Sequence, residues 1–130
     1  MRSIFAAALG ALAMAAAAPA NAHHSFAVFF DQDKPVAVPG VVKDFQFANP
    51  HGVITFVSDK GGKEELWRAE TNAPVILRRL GWSRDSLKPG DKVTVEGWAA
   101  RDGSNYMRMR KVTRADGSPV GIPIDQAGQK

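Results

Sequence analysis

The chain has 130 residues, 45% of them hydrophobic, with a formal net charge of +4 and no cysteine. Without cysteine there are no disulfides, thiolate metal sites or cysteine nucleophiles, so packing must carry the stability. The acidic residues (Asp31, Asp33, Glu64, Glu65, Glu70, Asp85) are interspersed with the basic ones, which describes an ordinary solvated surface and excludes nucleic acid as a partner.

The first predicted element is an export signal. Arg2 and the amino group form a positive start, Ile4 to Ala18 is an apolar run broken only by Gly10, and Ala20-Asn21-Ala22 is a small-x-small cleavage site. A stable membrane span needs about 20 apolar residues. This run ends early, in Pro19 and Ala20, and no second one follows. The expectation is a periplasmic or secreted protein with a cleavable signal peptide at 1–22 and no membrane span after cleavage. A single domain is then expected at 23–117, and a flexible tail, rich in Pro and Gly, at 118–130.

Residues 23–34 open the expected domain with an aromatic cluster, Phe26, Phe29 and Phe30, ahead of the strands. From Val36 the pattern is β. Val36 and Val38 alternate, and the parity changes between Val42 and Phe45, which predicts a bulge near Lys43-Asp44. Asn49-Pro50 ends this first strand. Val53–Ser58 is the second, Asp59-Lys60-Gly61-Gly62 a hairpin turn, and Glu65–Glu70 the third, with Glu65, Trp67 and Ala69 sharing one face. A short helix follows, capped by Thr71 or Asn72, with Pro74 in its first turn and an apolar stripe of Ile76, Leu77 and Leu80. Gly81 ends it. Lys88-Pro89-Gly90-Asp91 is a turn. The fourth strand points Val93 and Val95 inward. The fifth runs from Tyr106 to Thr113 after the Arg101-Asp102-Gly103-Ser104 turn.

The order is β-β-β-α-β-β, which predicts an all-β domain with one short helix. The expected architecture is a small five-stranded OB-like Greek-key barrel. Another small β-barrel or sandwich has the same order of elements.

Several segments occur together along the chain: His23-His24-Ser25-Phe26-Ala27, Asn49-Pro50-His51, Trp67 with Glu70, Gly81-Trp82, Leu87-Lys88-Pro89-Gly90-Asp91 and Arg101-Asp102-Gly103-Ser104. In that combination the chain resembles a family of small exported bacterial proteins known only as a domain of unknown function. The resemblance spans essentially all of residues 23–130. It implies export and a single domain, and it carries no activity. Where the family often has an aromatic residue soon after Asn-Pro-His, this chain has Gly52-Val53.

The candidate chemistry lies in the three histidines. Cleavage after Ala22 would give His23 a free α-amine beside its imidazole, two nitrogens able to chelate one metal ion. An imidazole from His51 or His24 completes a three-nitrogen, T-shaped set suited to Cu(II). The free α-amine, with a pKa of about 7.7–8.0, deprotonates far more readily than a lysine. His51 is the preferred partner, because it follows a proline-fixed turn while the side chains of adjacent His23 and His24 diverge in an extended segment. The competing reading is two solvent-exposed histidines on a frayed end, with His51 capping its own turn.

Other candidates read as structure. Met107 and Met109 share a strand face and could offer sulfur to Cu(I), but they alternate with Arg108 and Arg110 as core alternates with surface. Trp67, Trp82, Trp98 and Tyr106 could stack on bases or sugars, with Arg108 and other arginines at phosphates, but Trp67 and Trp82 read as packing residues, and nucleic acid is an unexpected partner outside the cytoplasm. Glu70 reads as a helix cap favoured by the helix dipole. No nucleophile elbow or phosphate loop is present, so the expectation leans away from an enzyme. Two classes remain: a periplasmic copper-binding or metal-handling module with His23, His51 and His24 as metal ligands, or a metal-free barrel that binds a protein, glycan or small molecule.

Overall fold

The computed structural model describes residues 24–124. The expected signal peptide at 1–22, His23 and residues 125–130 of the expected tail lie outside the described residues. Two short helices, α1 (His24–Phe29) and α2 (Pro74–Arg79), accompany five strands. The strands are β1 (Phe30–Gln46), β2 (Val53–Lys60), β3 (Lys63–Glu70), β4 (Lys92–Ala100) and β5 (Tyr106–Arg114). They form one closed sheet in the order β1-β2-β3-β5-β4, with β4 pairing back onto β1. Every neighbouring pair is antiparallel except β3 with β5. This is the OB-like arrangement, with α2 between β3 and β4.

The length of β1 closes the ring. Its first part pairs with β4 as far as Val41, and from Val41 onward it pairs with β2. The expected bulge lies at this changeover, as a register shift between Val42 and Asp44. There Val42 exchanges backbone hydrogen bonds with the 88–91 turn, donating to Asp91 and accepting from Gly90. Gly40 permits the crossing: a Cβ there would sit 2.6 Å from the Val57 carbonyl oxygen. Pro35 and Pro39 are tolerated because that stretch of β1 has a partner on one side only.

The β2–β3 hairpin closes through Gly61 and Gly62, both at positive φ, as a two-residue turn requires. Val95, Phe56, Ile54, Val112, Met107 and Met109 fill the barrel interior. The methionines are therefore core residues, as their alternation with arginine indicated.

Four expectations are corrected. The strands begin at Phe30 and not at Val36, because Phe30 pairs with Ala100 and is buried. The preceding residues form α1, a second helix: Phe26 packs edge-on to Trp98 at 5.2 Å, and the Ala27 carbonyl accepts a 2.7 Å hydrogen bond from Arg101 Nε. In α2 the N-cap is Ala73 with no side-chain cap, and Ile76 is partly exposed, so only Leu77 and Leu80 of the expected stripe are buried. Finally, residues 118–124 are not a loose tail. Val120 is buried and donates its N–H to Val112, while Ile122 donates to Leu80.

Candidate functional site

A cleft of about 580 Å³ opens between α1 and the outer face of β3 and β5, lined by Phe26, Phe29, Phe30, His51, Glu70, Tyr106 and Arg108. Parallel pairing of β3 with β5 sets Glu70 directly opposite Arg108, with Tyr106 two residues before it on the same face. The aromatic roof comes from α1, and Phe30 meets Tyr106 at 5.5 Å between ring centroids.

The floor of the cleft is a fixed polar cluster. Glu70 Oε2 accepts a 2.6 Å hydrogen bond from Tyr106 Oη, and Oε1 accepts one of 2.9 Å from Arg108 Nη1. Arg108 also donates to the Thr71 carbonyl and to Asn72 Oδ1. Burial pushes the Tyr106 phenol up to about 12, and the hydrogen bond and charge of Glu70 add to the rise. Burial pulls the Arg108 guanidinium below its ordinary value, an effect that the Glu70 charge opposes.

His51 stands at the edge of this cluster. It is half exposed, and its Nε2 lies 3.8 Å from Glu70 Oε1. The loop that carries it, which includes the cis Asn49-Pro50 peptide, is docked on the β3–α2 junction through Gly52. Thr71 donates its N–H to the Gly52 carbonyl at 2.9 Å. A Cβ on residue 52 would fall 2.4 Å from Thr71 Oγ1 and 2.9 Å from the Gln46 carbonyl oxygen. Glycine after the Asn-Pro-His turn is thus what lets the loop lie close enough to bring His51 beside Glu70.

Of the expected metal ligands, His51 therefore faces the cleft. His24 begins α1, and His23 lies outside the described residues. Among the described residues, no group of three or more His, Cys, Asp or Glu side chains is arranged to hold a metal ion. The reading of Glu70 as a helix cap is corrected, since both its oxygens are engaged by β5. Arg108 and Tyr106 are expected from the sequence only as phosphate and stacking contacts, and not as partners of Glu70. The available signal was the outward parity of Tyr106, Arg108 and Glu70, which pattern alone cannot distinguish from a solvated face. A second groove, about 500 Å³ and bordered by Gly40, Lys43, Asp59, Glu64 and Lys92, carries no imidazole.

Fold and site together define a small closed β-barrel with an aromatic-roofed cleft over a partly buried carboxylate–guanidinium pair. The chain belongs to the family of unknown function DUF6152, whose model matches residues 11–108. No curated protein matches it.

Proposed function

We propose that this chain is an exported β-barrel protein that binds one Cu(II), or a similar divalent metal, in the cleft. The ligands are the α-amine and imidazole of His23 and the imidazole of His51, with His24 or water in the remaining position. One observation carries the reading: Phe26 and His51 line the same cleft, and Phe26 is only three residues beyond His23. Three residues of chain span at most about 11 Å, so a His23 that precedes Phe26 is within reach of His51. Chelation supplies the affinity, since amine and imidazole share one residue and the second bond forms at little further entropic cost. Nitrogen donors in a T-shaped set match the tetragonal preference of Cu(II). Export rests on the signal-peptide pattern of residues 1–22, which is also what frees the His23 amine.

The test begins with the intact mass of protein recovered from its native compartment, which should correspond to a start at His23. Cu(II) titration then compares that protein with a form retaining one extra N-terminal residue and with His51→Ala. Both changes should weaken binding by at least tenfold. Equal affinity in all three would overturn the metal reading. Loss in the extended form alone would replace His51 by His24. The aromatic lining favours a second reading, an apolar small molecule in the cleft without metal, for which copper would bind none of the three forms stoichiometrically.

A further inference from the structure

The geometry points to Glu70 as the positioning residue that decides which nitrogen of His51 can act as a ligand. It deepens the proposed metal reading and rests on it for its functional consequence, although its structural content stands without a metal. A neutral imidazole has one N–H and one lone pair, and a neighbouring acceptor fixes which nitrogen carries the proton. Here Nε2 is the nitrogen turned to the carboxylate, at 3.8 Å from Oε1.

The carboxylate is not free to turn away. Tyr106 holds one oxygen and Arg108 the other, and Arg108 is itself tied to Thr71 and Asn72. Oε1 accepts one N–H from Arg108 and keeps a lone pair for a second donor. The His51 ring, by contrast, is half exposed and can move. Closing the gap to a hydrogen bond of about 2.9 Å requires a displacement of roughly 0.9 Å, well within the reach of a side-chain rotation. In that arrangement Nε2 keeps the proton and Nδ1 is left as the lone-pair donor. Carboxylates that orient metal-binding imidazoles in this way are a recurring device, and removing one typically costs about 10–100-fold in metal affinity.

The experiment is long-range proton–nitrogen NMR of the histidine rings, at about pH 8.5, where an ordinary imidazole is neutral. It uses the protein starting at His23, first metal-free and then with Zn(II) as a diamagnetic probe. Metal-free His51 should be a single Nε2–H tautomer, and Glu70→Gln should convert it to a mixture. With Zn(II), Nδ1 should be the metal-bound nitrogen, and Glu70→Gln should weaken Zn(II) binding by about 10–100-fold. Tyr106→Phe, which leaves the Arg108 contact, should keep the Nε2–H tautomer. A metal-free wild-type ring protonated on Nδ1, or a tautomer mixture unchanged by Glu70→Gln, overturns the assignment, and the wild-type spectrum decides even if a variant fails to fold. If the tautomer behaves as stated and Zn(II) and Cu(II) do not bind, the Glu70 assignment stands and the metal reading falls alone.

Discussion

Tyr106 is the only tyrosine in the chain, so its ionisation can be followed without ambiguity. Burial and the Glu70 carboxylate favour the neutral phenol, which puts its folded-state value at about 12. The unfolded chain should show the ordinary value of about 10. The sign follows from the linkage of protonation to folding. The stabilisation is complete below about pH 10, where both states are protonated, and is lost as the pH rises towards 12, where the unfolded state alone ionises. Ultraviolet titration of folded protein should therefore give a phenolate midpoint near 12, and Glu70→Gln should lower it only in part, because burial, the larger cause, remains; a wild-type midpoint near 10 would refute this. At this scale the sequence showed His51 as a candidate and missed its surroundings. Glu70 and Tyr106 are 36 residues apart, and no local pattern reports a hydrogen bond between them.

Elements were legible in proportion to how local their causes are. The parity change before Phe45, the Gly61-Gly62 turn and the inward Val93 and Val95 follow from steric and period-two rules that act within a few residues. Helix α1 has a distant cause. The Arg101 side chain bonds Ala27, its backbone N–H bonds Phe29, and it approaches Asp31 at 3.5 Å, a clasp that exists only once β4 is in place. The bend of β4 also depends on its neighbour. Its register with β5 shifts between Glu96 and Gly97, and a Cβ on residue 97 would lie 2.1 Å from the Arg108 carbonyl oxygen. Gly97→Ala should thus destabilise the fold by about 2–3 kcal/mol through overpacking against backbone. The measurement is the urea midpoint, and a shift equivalent to less than about 0.5 kcal/mol, the usual surface range, would contradict the close approach.

Across the whole molecule, the barrel closes through β1, and the 118–124 segment covers one part of it. Val120 is buried and hydrogen-bonded to β5, and Ile122 is tied to the end of α2. Truncation after Gly117 should cost about 2–4 kcal/mol, from one buried valine and three backbone hydrogen bonds, including the one Arg114 donates to Ser118. Thermal unfolding tests this, and an unchanged midpoint would mean that the segment contributes no stability. Prolines and glycines made these residues read as loose, because composition reports propensity and not what a neighbouring surface offers. By itself the sequence determined the strands, their turns, the bulge in β1 and the OB-like order, since side-chain alternation and backbone sterics are local. Only the tertiary structure decided that Glu70 serves β5 and not α2, that α1 roofs a cleft, and that His51 stands at its edge. Those outcomes depend on the parallel β3–β5 pairing and on the fit of Gly52 against Thr71, contacts between residues that the chain itself keeps far apart.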